Sequence, residues 1–302
     1  YDDIIPKYAD NKLSAFISIM RGCNNFCSYC VVPGARGRER SRSPQSILNE
    51  TGNLIKQGFR EITLIGQNVN SYEWKDSYGQ ITNFAVLLQN VAQLDQSLRV
   101  RFTTSHPKDI SEDIIRVMAA HKNICKHIHL PVQSGSTKIL KLMNRKYTRE
   151  DYLEKVKMIK NIIPDIGLTT DIIAGFCTEK EDDHLQTINL MKEVNFDLAY
   201  MFNYSERTGT LAAKEFKDDV RPEVKKRRLN EIINLQNEIS LTNNKKEIGQ
   251  VFEVLVEGHS KRSHKMMKGR TSQNKMVVFN SDNLKQGEYS KVLIKDCTSA
   301  TL

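Results

Sequence analysis

Glycine and proline are sparse, 15 and 7 residues in a chain of 302. That excludes a collagen-like, low-complexity or largely disordered protein. No run approaches 18 uninterrupted apolar residues, so no membrane span is expected. No secretory signal is visible. The chain begins at Tyr1 rather than Met, and a fragment is expected. Cysteines number only six, and three fall within eight residues: Cys23, Cys27 and Cys30. Cys125, Cys177 and Cys297 are solitary. This is no secreted disulfide framework, and a cytoplasmic location is expected.

What is present is ordinary for a globular protein, with 27% charged and 39% apolar residues. Lys and Arg number 45 against 36 Asp and Glu, a net charge of +9. The excess is uneven, because residues 243–302 hold eleven Lys and Arg against six acids. Such a surface suits a polyanion such as nucleic acid, or serves as a solubilising face.

Periodicity divides the chain. Strand patterns at 13–19, 61–65, 98–103, 127–132, 167–173 and 198–203 alternate with helical ones at 44–57, 84–94, 111–121, 149–162 and 180–194. In 149–162 the residues Tyr152, Val156 and Ile159, with Ile163 just beyond, fall on one stripe. Six strand–helix units imply a parallel α/β sheet, too few for a closed eight-stranded barrel, so an open partial (βα)6 barrel is expected. A long basic helix at 223–242 ends this part. After it, short strand patterns at 251–256, 276–280 and 289–294 are separated by the turn-formers Gly258, Asn274, Asn283 and Gly287. These predict a small all-β barrel. The expected domains are 1–242 and 243–302.

The cysteine loop directly follows the first strand, at the end where parallel α/β folds bind ligands. Three thiolates so close in sequence suit one metal centre. A structural zinc wants a fourth ligand, and no Cys or His stands near. A [4Fe–4S] cluster with three Cys would keep one iron open. A zinc loop with a distant fourth ligand, or simply buried thiols, are the alternatives. Arg36, Arg38, Arg40 and Arg42 alternate, so an extended segment would present all four to a phosphate backbone. Lys261, Arg262, Lys265 and Lys268 are expected in the first connection of the small barrel, with Arg270 nearby, as oligonucleotide contacts. His106, before Pro107, is expected to be structural, and Ser136 is expected to cap the following helix.

Cys23-x3-Cys27-x-Tyr29-Cys30 after a first strand resembles the radical S-adenosylmethionine (SAM) superfamily. With Gly66-Gln67-Asn68, Thr104-Ser105-His106-Pro107, His129-Leu130-Pro131-Val132-Gln133-Ser134, Met143-Asn144-Arg145-Lys146-Tyr147, Thr170-Asp171 and Tyr204-Ser205-Glu206-Arg207, nearly the whole chain is similar to the tRNA methylthiotransferases of that superfamily. The resemblance implies a [4Fe–4S] cluster on Cys23, Cys27 and Cys30 whose open iron chelates SAM. An electron from the cluster then breaks the sulfonium and yields a 5′-deoxyadenosyl radical. It places Tyr29, Gln67, Gln133, Ser134, Asp171 and Ala174 around SAM. By its own chemistry Arg207, in the loop 204–209, is expected either to pair with a carboxylate or phosphate or to stand as a solvated loop arginine.

The same resemblance makes the C-terminal barrel an RNA-binding TRAM domain. It implies transfer of a methylthio group to C2 of N6-isopentenyladenosine beside the anticodon of tRNA. The partners implied are an anticodon stem-loop and an electron donor such as a flavodoxin or ferredoxin, with the chain a monomer. Relatives acting on threonylcarbamoyl-adenosine or a ribosomal-protein aspartate are the second reading, and a non-catalytic zinc-stabilised RNA-binding protein is the third. Whole members carry a further N-terminal domain whose three Cys bind a second [4Fe–4S] cluster. That domain is expected to be missing, leaving a chain that cleaves SAM without completing sulfur insertion. Cys177 stands where the family usually has Pro, either as a rim thiol or as a packed, inert one.

Overall fold

The computed structural model describes residues 13–260, 263–280 and 283–302. Six parallel strands follow in chain order: β1 (Ser14–Ser18), β2 (Glu61–Ile65), β3 (Arg99–Thr103), β4 (His127–His129), β5 (Gly167–Ala174) and β6 (Leu198–Asn203). The first three pair side by side, and so do the last three. A parallel bridge between Val100 and Ile124 joins the halves. The helices of six or more residues are α1 (Pro44–Lys56), α2 (Phe84–Gln93), α3 (Glu112–Ala120), α4 (Thr137–Leu142), α5 (Arg149–Ile162), α6 (Glu181–Val194) and α7 (Pro222–Lys245). This is an open partial barrel with its helices outside.

Local chemistry explains the elements. The Ser43 hydroxyl accepts from Ser46 N at 3.2 Å, with Pro44 at the first position of α1. Thr148 and Asp151 form a reciprocal capping box on α5, which buries Tyr152, Val156 and Ile159 as its stripe requires. Ser136 caps α4, as expected, by accepting from Ile139 N. Pro107 starts a turn, and α3 begins five residues later at Glu112. Ile62, Leu64, Val100, Phe102, Leu168 and Ile172 pack in the main core. Alternation leaves Glu61, Arg101, His129 and Asp171 on the opposite, concave face.

After α7 a curled antiparallel sheet forms from β7 (Val251–Ser260), β8 (Ser263–Arg270), β9 (Met276–Asn280) and β10 (Tyr289–Leu293), in the order β9-β8-β7-β10. Two expectations are corrected here. Gly258 is not a turn but a bulge inside β7, where the register shifts beside Val256 and φ is +120°. Lys268 lies not in a connection but on β8, a central strand. The pattern hid β8 because charged residues interrupt it. The chain end closes the sheet, with Leu302 N donating to Met276 O at 2.9 Å and Val278 N to Leu302 O at 3.0 Å.

The turn between β8 and β9 seals the lower end of the barrel. Arg101 donates to Thr271 O at 3.0 Å and pairs with Glu61 at 2.8 Å, while Arg99 donates to Arg270 O at 2.7 Å. Lys126 N donates to Ser272 Oγ at 2.8 Å. Gly167 meets the same turn so closely that an added Cβ would stand 2.6 Å from Gln273 O. Tyr289 lies under the Arg99 guanidinium and donates to Ser97 O at 3.2 Å.

Candidate cofactor site

The loop after β1 is pinned at its neck by a two-residue pairing of Met20–Arg21 with Arg40–Ser41. Gly22 is required there, because φ is +81° and a Cβ would lie 2.1 Å from Arg38 O. Its N–H donates to Gln67 Oε1 at 2.8 Å. Ser28 N donates to Met143 O at 3.0 Å, and Asn144 Nδ2 to Phe26 O at 2.7 Å. Ala212 N closes the far side on Ser28 O at 2.7 Å. Elements distant in sequence thus hold Cys23, Cys27 and Cys30 on one rigid loop, half-buried and free of disulfides.

Burial pushes the Cys23 and Cys30 thiols above their ordinary value, and the neighbouring thiols add to the effect. A bound cation reverses this, since a coordinating thiol is deprotonated. Among the described residues, no three His, Cys, Asp or Glu side chains are gathered to share a single metal ion. The donor set does not suit one zinc, which wants four converging ligands. It suits a cubane, which gives each thiolate an iron of its own.

Beside Cys30 opens a cavity of about 350 Å³, lined among others by Tyr29, Gln133, Asp171, Phe202 and Arg207. The volume is that of a small-molecule site. Gln133 holds a left-handed backbone, with φ +71°, because its N–H bonds Asp171 O and its carbonyl accepts from Ile173 N, both at 2.9 Å. Such strain in a non-glycine residue marks a constrained position. Asp171 keeps a half-open carboxylate, 3.3 Å from His129 Nε2. His129 Nδ1 lies 3.0 Å from Thr169 Oγ1, and its ring meets Tyr200 edge-on at 5.7 Å.

The structure therefore brings Tyr29, Cys30, Gln133, Asp171 and Arg207 together. Three other expected SAM contacts stand apart from the cavity. The Gln67 carbonyl is spent on Gly22. Ser134 is fully buried, with its hydroxyl accepting from Ser136 N at 3.2 Å and 3.4 Å from Thr187 Oγ1. The Ala174 methyl packs in the helix-side core, because strand alternation turns it away from Asp171. The four arginines do not share a face either. Residues Val32–Arg36 form a short helix rather than an extended run, and Arg42 turns inward onto Glu50 and Ser46. Arg36, Arg38 and Arg40 remain exposed. The Arg270 guanidinium is held by Glu257 at 3.0 Å. Lys261 and Arg262 lie outside the described residues, as does the side chain of Lys265. Cys177 is completely buried among Phe176, Met143 and Tyr204 and is no rim thiol.

His129, Tyr200 and Arg145 carried no assigned role in the sequence. The alternation of His127 and His129 along β4 was the available signal for the first. Arg145 gave no signal in the sequence, because its burial without an acid arises only in the folded chain.

His106 is structural, as expected. It is 5% exposed, its Nδ1 accepts from Lys108 N at 3.2 Å, and its ring packs on Tyr147. Burial, with Arg145 and Lys108 nearby, holds its pKa down at about 2. Asp109 stands 3.9 Å from Nδ1, but that nitrogen is already an acceptor, so no ion pair forms. The unfolded chain binds the proton near pH 6.5 and the native chain does not. The part of the stability that His106 controls is therefore full above about pH 6.5 and falls by about 1.4 kcal/mol per unit below it. Urea unfolding at pH 7.5 and 5.0 should show a smaller loss in His106→Gln than in wild type, because burial also holds the His127 and His184 pKa values down and their share of the loss stays in both. Equal losses in both would remove His106 as its source.

A model of the radical SAM superfamily matches residues 17–191. The chain belongs to the radical SAM superfamily. A TRAM domain model matches residues 245–302. The cofactors of this superfamily, a [4Fe–4S] cluster and SAM, are those of the chain, and the cysteine loop fits the first. Curated relatives named tRNA-2-methylthio-N(6)-dimethylallyladenosine synthase are 55% identical in Bacteroides fragilis and 56% identical in Phocaeicola vulgatus, each over 100% of this chain. The chain spans 66% of the length of each, just under two thirds. In fold, coproporphyrinogen III oxidase from Escherichia coli matches 86% of the chain and 67% of its own length, at a TM-score of 0.55 and 12% identity. The methyltransferase TsrM from Kitasatospora setae matches 67% of this chain and 38% of its own, at 0.54 and 18%. No helix among the described residues is long and apolar enough to cross a membrane.

Proposed function

We propose that this radical SAM chain is the catalytic part of a tRNA methylthiotransferase acting at C2 of N6-dimethylallyladenosine beside the anticodon. The observation that carries this reading is the match over the whole chain, at 55% identity, to relatives named for that reaction. Cys23, Cys27 and Cys30 hold the cluster. Tyr29, Gln133 and Asp171 line the SAM cavity, with Arg207 at its mouth. When bound, the cluster and SAM supply one electron and a carbon-centred radical able to take an unactivated hydrogen. The chain's own residues position and exclude: His129 orients Asp171, the curved sheet backs the cavity, and the β8–β9 turn closes the opposite, lower end of the barrel. Exposed Arg36, Arg38 and Arg40, with Lys268 on the TRAM sheet, meet the RNA backbone. A flavodoxin or ferredoxin in the cytoplasm supplies the electron to a monomer. SAM cleavage is assigned to this chain, and sulfur insertion to the whole protein.

The test is nucleoside analysis of tRNA from cells lacking the gene. N6-isopentenyladenosine should accumulate while its 2-methylthio derivative disappears, and the plasmid-borne gene should restore it. Loss of the methylthio group from threonylcarbamoyl-adenosine instead would overturn the reading.

A further inference from the structure

Arg145 is 4% exposed, immediately beyond α4. Its Nη2 donates to Pro131 O at 2.7 Å and its Nε to Tyr147 Oη at 2.8 Å. The Tyr147 ring lies 5.2 Å from the guanidinium carbon. The remaining arm, Nη1, points at Cys27 Sγ, 3.4 Å away. No carboxylate among the described residues is within ion-pair distance of it. Arg101 and Arg228, comparably buried, each hold a glutamate. Among the described residues Arg99 is the other buried arginine without an acid, and it meets a backbone carbonyl and a tyrosine ring, not a metal-ligating sulfur.

An uncompensated buried cation is costly. A neutral thiol is a poor acceptor and does little to offset that. A thiolate bound to iron is different. Three thiolates leave a cubane cluster net negative, and one added electron makes it more so. The missing counter-charge of Arg145 therefore lies on the cluster side of Cys27.

We propose that Arg145 is a positioning residue for the iron–sulfur cluster, holding the Cys27 sulfur and setting the ease with which the cluster accepts its electron. The inference rests on the cluster assignment made above. The step is one electron from a low-potential donor into the cluster, with no proton moved and no bond formed. A fixed positive charge favours the more negative, reduced state, so it raises the reduction potential. Pro131 O, Tyr147 Oη and the ring beneath fix the guanidinium so that little reorganisation accompanies the change.

The test compares wild type, Arg145→Met and Arg145→Lys, each reconstituted with iron and sulfide under nitrogen. Iron per chain is counted, and the reduced cluster is titrated with dithionite and redox mediators by electron paramagnetic resonance. SAM is left out, so contact with that cofactor cannot cause a difference. Arg145→Met should make reduction at least about tenfold less favourable, about 59 mV more negative for one electron. Arg145→Lys should recover most of it. Loss of cluster in the Met variant with retention in the Lys variant supports the same role, because charge is then what holds the site. Full clusters with equal potentials, or loss of cluster in both variants, overturn the inference. Failure of wild type to bind iron overturns the cluster assignment instead.

Discussion

A Cys27→Ala chain, reconstituted under nitrogen, is expected to form 5′-deoxyadenosine from SAM and dithionite at least about a hundredfold more slowly than wild type. Losing a partner of a metal ligand already costs about 10–100-fold, and losing the ligand itself removes more. No other thiol is placed to substitute. Cys125 is buried, with burial raising its pKa to about 11, and Cys177 is sealed among aromatics. Cys297 packs against the core of the C-terminal sheet. The substitution also leaves the Arg145 charge facing nothing, so iron content should fall with activity. Product formation and iron content are measured on one preparation, with circular dichroism to confirm folding. Unchanged values for both would mean that the loop does not carry the cluster.

Arg228→Met is expected to cost about 3–5 kcal/mol of stability, because it strips one partner from a buried ion pair. Arg228 and Glu179 are 5% and 2% exposed. The guanidinium reaches Glu179 Oε1 at 2.9 Å, Glu179 O at 3.0 Å and Glu181 at 3.1 Å. Glu179 Oε1 also accepts from Gly175 N at 2.9 Å, immediately beyond β5. Without Arg228 that carboxylate keeps its burial and loses its counter-charge. Replacing both, as Arg228→Met with Glu179→Leu, should return part of the loss. Urea unfolding gives the values, and a single-variant cost under about 1 kcal/mol would mean that water enters the site.

Most of the fold was legible because barrel strands and helices announce themselves by period. The patterns at 61–65 and 198–203 match β2 and β6 to the residue, and 149–162 matches α5. A strand interrupted by charged residues does not announce itself, which is why β8 read as a connection. The three cysteines were legible because spacing within one loop survives folding. The cavity beside Cys30 was less legible, because which side chains of β5 face it depends on strand alternation and not on the motif. The arginine row illustrates a further limit: a helical turn takes Arg36 out of the extended run, and Glu50 and Ser46 draw Arg42 inward. Arg145 and Cys27 lie 118 residues apart, and only the folded chain makes them partners.

The turn at Thr271, Ser272 and Gln273 fastens the two parts of the molecule like the fixed jaw of a caliper. Carbonyls at 270, 271 and 272 accept from buried arginines, so the sheet does not swing on a tether. Any ligand that touches both the cavity mouth and the C-terminal sheet meets them at one spacing, set when the chain folds. Such a molecule is then selected by reach as well as by chemistry, and one that is too short, or too stiff to bend across the gap, engages a single jaw.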